Sequence, residues 1–114
     1  MSQGVLEVFQ VEAAPATRVT VAGAGNVAIP TLINGDKPRY IWFQTAIGSA
    51  SVVGDAVTVS PEITAVNGNA ATGVPIVIGA PGLVLNVHGS AFIGYDFVSG
   101  GTNIELYIVP LLNQ

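Results

Sequence analysis

Few residues in this chain are equipped for chemistry, and they are scattered. His88 is the single histidine, and cysteine is absent. A nucleophile–base pair would need a serine or threonine held against that imidazole and a third group orienting it. His88 instead closes the run Leu83-Val84-Leu85-Asn86-Val87-His88, just before Gly89, and reads as a structural or interface hydrogen-bonding residue. A zinc site takes three or four protein ligands, which one histidine without cysteine does not supply. The seven carboxylates are Glu7, Glu12, Asp36, Asp55, Glu62, Asp96 and Glu105. Asp36 and Asp55 fall in turn sequences, where aspartate bonds to nearby backbone. A glycosidase pair would need two acids in specially shifted environments; Asp96 and Glu105, on strands read below as neighbours, fit outward solvated positions instead. No Asp/Asn/Glu cluster has the loop spacing of a calcium site. The expectation is a protein that is not an enzyme and that carries no metal and no cofactor.

Two further patterns bear on function. Gly23-Ala24-Gly25-Asn26-Val27-Ala28 matches G-x-G-x-x-A after a short strand, but a dinucleotide site needs a helix opening there to hold the pyrophosphate. Ile29-Pro30-Thr31-Leu32-Ile33 follows, β-branched and broken by proline, so the glycines read as a turn in a β protein. Tyr40, Trp42, Tyr95 and Tyr107 are amphipathic aromatics that suit either a sugar platform or a core and interface role. They keep a carbohydrate-binding β-sandwich module open as the alternative function.

The elements that must position these residues follow from composition and periodicity. At 114 residues the chain is long enough for one core. Charged residues make up 9% of it, against about 25% in an average soluble domain. Hydrophobic residues reach 50% and mean hydropathy is +0.62. With net charge −4 and only Arg18, Lys37 and Arg39 basic, a phosphate backbone is not the expected partner. A small globule so poor in charge needs its surface covered by a membrane, by other copies or by a larger assembly. The apolar runs are too short for a spanning helix of about 20 residues or for barrel strands of about 9–11. Met1-Ser2-Gln3-Gly4 lacks the basic residue of a secretory signal, and Glu7 interrupts the run that follows. Assembly is the expectation that survives.

Along the chain, residues 1–14 read as an N-terminal strand or arm (Val5-Leu6-Glu7-Val8-Phe9-Gln10-Val11), and residues 15–114 as one β-sandwich domain. Thr17–Ala22 is a short strand. Asn34-Gly35 is a strong turn signal expected to fold a Val27–Ile33 strand back onto Arg39–Thr45. Gly54-Asp55 is expected to join Ser51–Val53 to Ala56–Val59 as a tight hairpin. Asn67–Gly73 reads as a loop and Ile76–Ile78 as a short strand. From Gly82 to Leu112, three period-two runs separated by Gly89-Ser90 and Ser99-Gly100-Gly101 are expected to form an antiparallel meander. No window longer than ten residues keeps a helical period without Gly or Pro. The predicted fold class is therefore all-β, a single-domain antiparallel β-sandwich or barrel, jelly-roll-like, of about eight short strands.

The sequence from Val84-Leu85-Asn86-Val87-His88-Gly89, through Gly100-Gly101-Thr102, to Ile104-Glu105-Leu106-Tyr107-Ile108-Val109-Pro110-Leu111-Leu112 resembles the small decoration, or cement, proteins of tailed-bacteriophage capsids. It departs from the lambdoid ones in lacking a Thr-Ala-Pro-type arm motif. The resemblance implies a non-enzymatic virion component on the capsid exterior, made in the host cytoplasm, a homo-oligomer (commonly a trimer) bound to the major capsid protein. Another phage structural part (tail, neck or fibre) is the neighbouring reading. The oligomer or capsid contacts expected are Val5, Leu6 and Phe9, in an apolar run too irregular to hide under one sheet, with Tyr107, Leu111 and Leu112 near the other terminus. No nucleic acid and no membrane are expected as partners.

Overall fold

The computed structural model of the chain describes residues 17–99 and 103–113, and every structural statement below concerns these. Val5, Leu6, Phe9, Glu7, Glu12 and the expected arm lie outside them. Eight strands are present: β1 (Thr17–Val21), β2 (Gly25–Ala28), β3 (Tyr40–Ala46), β4 (Ala56–Glu62), β5 (Val74–Val77), β6 (Leu83–Asn86), β7 (Phe92–Ser99) and β8 (Ile104–Pro110). They form two four-stranded sheets, ordered β1-β8-β3-β6 and β2-β7-β4-β5, with every pairing antiparallel. Neither sheet closes on itself, so the fold is a sandwich and not a barrel. No helix of the described residues is long and apolar enough to cross a membrane.

The order has a simple logic. β1 pairs with β8, β2 with β7, β3 with β6 and β4 with β5. The chain is thus one long hairpin, four strands out and four back, wrapped until β3 also meets β8 and β4 meets β7. This is the jelly-roll arrangement of two facing sheets. Alternation along each strand points one set of side chains into the sandwich. From the first sheet come Val21, Ile41, Phe43, Ile104, Leu106 and Ile108; from the second come Val57, Val59, Ile76 and Ile93, all at most 1% exposed. Burying each such side chain stabilises the fold by about 1.5–3 kcal/mol.

Three local expectations are corrected. The last third is not a meander: its three runs are strands, but β6, β7 and β8 alternate between the sheets. Gly89, at φ +85°, turns the chain sharply. Ala91 then docks on the second sheet, donating its N–H to Glu62 O (2.8 Å) and accepting from Ile29 N (2.9 Å). Asp96 and Glu105 therefore lie on different sheets. The Asn34-Gly35 turn exists, with Gly35 at φ +90° and its N–H bonded to Leu32 O at 2.9 Å. It does not join two paired strands, because β2 stops at Ala28 ahead of Pro30, and Ile29 and Leu32 are buried as core residues. The Gly54 turn likewise exists, at φ +102°, yet Ser51–Val53 is no strand and β4 finds its partners in β5 and β7.

Pro61 and Pro75 sit where no ladder needs their missing amide. Pro75 lies on the edge strand β5. Pro61 lies in β4 beyond Val59, where pairing with β5 has ended. Both placements follow from proline having no N–H to donate.

Candidate functional site

The two outer faces of the sandwich differ. On the second sheet, residues 63–73 fold back over β7 and β4. Gly68 N–H donates to Gly25 O (3.1 Å), Asn26 Nδ2 donates to Asn67 Oδ1 (3.1 Å), and Thr58 Oγ1 lies 3.3 Å from Asn69 O and 3.2 Å from Asp96 O. Glycine makes the approach possible: a Cβ on Gly68 would overlap the Tyr95 backbone, and one on Gly94 would sit 2.9 Å from Val66 O. On the first sheet, Tyr40, Trp42 and Gln44 of β3 alternate with the buried Ile41, Phe43 and Thr45, and so face outward. Cross-strand register sets Val109 and Val84 beside Trp42, Tyr107 beside Gln44, and Asn86 beside Tyr40. Three of the four aromatics expected as a platform thus share one face. Tyr95 does not join them, since it packs inward against the core on the other sheet.

The two ends of the sandwich differ as well. The β3–β4 loop meets Asn103 at one end, where Asn103 Nδ2 donates to Ser49 Oγ (2.9 Å), and the β5–β6 loop meets it through Gly79 against Val53. This tip exposes Ile47 (54%), Val52 (64%) and Val53 (66%). Its one carboxylate, Asp55, is only 7% exposed; Oδ2 accepts the Val52 N–H at 3.0 Å, so the charge is spent on the turn. Residues 78–82 carry no charge at all. Sequence reading passed over this tip because it took Val52 and Val53 for strand. Two adjacent valines beside a Gly-Asp turn were the signal available, since a half-buried strand would alternate apolar with polar.

The opposite end is mixed, with Ile33 (69%) and Ile63 (78%) exposed on the loops that follow β2 and β4. There Arg39, Tyr40, Asn86 and His88 line an open cleft of about 260 Å³. His88 is exposed, in a turn closed by Ser90 N–H donating to Val87 O (2.9 Å). Sequence reading had singled out His88 and Tyr40 but not Arg39 and Asn86. Nothing in their local sequence links β3 to β6, which lie some forty residues apart and meet only through the wrapped topology.

The remaining expected residues are dispersed. Glu105 accepts from Thr20 Oγ1 (3.0 and 3.1 Å) and lies 3.6 Å from Arg18 Nε, on the outer face of the first sheet. Asp36 belongs to the Asn34 turn, its N–H bonded to Asn34 Oδ1 (3.0 Å). Among the described residues, no three or more of the His and carboxylate side chains are grouped to hold a metal ion. Tyr107 is half-buried on the outer face and Leu112 is half-buried. Leu111 is 3% exposed and its N–H donates to Tyr40 O (3.1 Å). Comparison of the chain with protein-family models, curated protein sequences and solved structures gave no match.

Proposed function

We propose that this chain is a non-enzymatic structural component of a virus particle, a decoration or cement protein that associates with copies of itself, as a trimer, and binds the major capsid protein from outside the shell. The observation that carries the reading is the apolar tip of Ile47, Val52 and Val53, whose one carboxylate, Asp55, is buried in the turn. Apolar area left in water costs about 25 cal/mol per Å², and a partner that covers it recovers that free energy. Obligate interfaces are the more hydrophobic class and remove such area permanently. The charge-poor surface fits the same use, as the chain has three basic and seven acidic residues in 114. The jelly roll is compatible with a capsid role, being common among capsid proteins, but it is shared with lectins and cupins. Fold alone does not assign function; the exposed apolar tip and the low charge support this one.

The contacts assigned are the tip against neighbouring copies and the apolar run containing Val5, Leu6 and Phe9 against a neighbour or the shell. Sedimentation velocity tests the first step. The full chain should sediment as a trimer, and a chain lacking residues 1–12 should dissociate more readily while keeping its sheet circular dichroism. An antibody raised against the chain should label the outside of intact particles in electron micrographs. A full-length chain that stays monomeric at about 100 μM, some hundredfold above a micromolar Kd, or particles that take no label, would defeat the reading.

A further inference from the structure

The cleft at the Arg39 end has a chemistry of its own, independent of the assembly reading. Arg39 is held on both sides of its backbone: its N–H donates to Asn113 Oδ1 (3.0 Å) and its carbonyl accepts from Val87 N (2.7 Å). Asn113 is fixed in turn, its Nδ2 donating to Lys37 O (3.0 Å). The guanidinium therefore projects from a clamped segment. It is exposed and makes no ion pair or hydrogen bond with a described residue. Asn86 Oδ1 accepts the His88 N–H (2.9 Å), which commits the amide's acceptor and leaves its NH₂ as the free end. His88 occupies the second position of the Val87–Ser90 turn, and Gly89 supplies the positive φ that such a turn requires next (+85°). Tyr40 is the cross-strand partner of Asn86 and borders the cleft.

Among the described residues the lining thus offers a guanidinium, an amide NH₂ and an imidazole beside Tyr40, and no carboxylate. In a chain of net charge −4, such a concentration of donors calls for an acceptor-rich anionic ligand. A guanidinium meets a carboxylate through two parallel hydrogen bonds. One permanent cation balances one negative charge, which favours a carboxylate over a phosphate dianion. The volume lies just under the ~300–1,000 Å³ of small-molecule sites, so it suits a single ring and not a long chain. A tyrosine ring beside polar donors suits a ligand with one apolar face and hydroxyls at its edge. We infer that the cleft binds a carboxylate-bearing sugar, with the carboxylate on Arg39, ring hydroxyls on Asn86 and His88, and a ring face against Tyr40.

Titration of the ¹⁵N-labelled full chain with sodium glucuronate, followed by NMR, tests this. Amide shifts should concentrate at residues 39–40 and 86–89, with a Kd in the millimolar range, about that of a weak single-residue contact. Glucose, lacking the carboxylate, should bind at least roughly tenfold more weakly, as removal of a charge-assisted bidentate pair implies; acetate keeps that pair but loses the ring and hydroxyl contacts, and should also bind roughly tenfold more weakly. Arg39→Ala should lose the glucuronate response, while Arg18→Ala, on β1, should keep it; both side chains are exposed, and the unperturbed remainder of each spectrum reports that the variant is folded. Glucuronate shifts spread over the surface, equal binding of acetate, glucose or sodium sulfate, or an unchanged response in Arg39→Ala would each overturn the assignment.

Discussion

At the scale of single residues, the described structure depends on a few glycines whose neighbours are far away in sequence. Gly68 is the sharpest case, because the loop it belongs to lies directly on the Tyr95 backbone and leaves no room for a Cβ. Its N–H reaches Gly25 O, so the loop cannot simply lift without giving up a hydrogen bond. Gly23, in contrast, has nothing within 4 Å of where a Cβ would stand, and neither glycine has a positive φ. Gly68→Ala should therefore destabilise the fold by about 1–3 kcal/mol, the usual cost of forcing a methyl into packed space, lowering Tm by roughly 4–12 °C. Gly23→Ala should leave Tm within about 2 °C, since exposed substitutions stay near ±0.5 kcal/mol. Thermal unfolding of both variants makes the comparison, and equal Tm values would show that the loop is not held against the sheet. The sequence offered Asn67-Gly68-Asn69 as an ordinary loop signal, which it is. That Gly68 is needed for a contact with a residue 27 positions later is a tertiary fact with no local signature.

At the scale of elements, what could be read was strand identity and facing. Ile104, Leu106 and Ile108 at every second position lie in the core as that spacing implies, and β3 buries Ile41, Phe43 and Thr45 in the same way. Pairing could not be read, because period-two alternation fixes which side of a strand is apolar and says nothing about which strand lies beside it. Short glycine-rich links favour neighbours in sequence, hence the expectation of a meander. In the jelly roll the same links carry the chain across the core, and β8 completes its sheet with β1 and β3 from the far end of the sequence. A consequence follows for local stability. β8 and β3, and β7 and β4, are the inner strands of their sheets, whereas β5 and β6 each have one unpaired edge. In native-state hydrogen exchange, amides such as those of Phe43, Leu106, Val59 and Ile93 should be among the slowest and open only with global unfolding. Amides of β5 and β6 should exchange faster by local opening. Uniform protection across all eight strands would contradict this order.

At the scale of the whole molecule, the wrapped hairpin separates two unlike ends. β3 begins beside the cleft at Arg39 and Tyr40 and runs seven residues to Ala46, where the apolar tip starts. At about 3.3 Å per residue the ends stand roughly 20 Å apart, so a change at one should leave the other undisturbed. The tip is the end we assign to association, and two substitutions that add the same charge test it. Val53→Lys places an ammonium in the apolar tip, at a side chain 66% exposed; Ile63→Lys makes the same kind of change at a side chain 78% exposed in the β4–β5 loop. Both should fold with Tm within a few degrees of the parent, since exposed substitutions rarely exceed ±0.5 kcal/mol. A lysine enclosed in an apolar interface pays the cost of removing a charge from water, whereas one on a free loop does not. Sedimentation should therefore find the Val53→Lys chain dissociated at concentrations where the Ile63→Lys chain remains assembled, and Arg39→Ala, at the far end, should assemble like the parent. If Ile63→Lys disperses the oligomer as fully as Val53→Lys, general charge repulsion is the cause and the tip is not the interface.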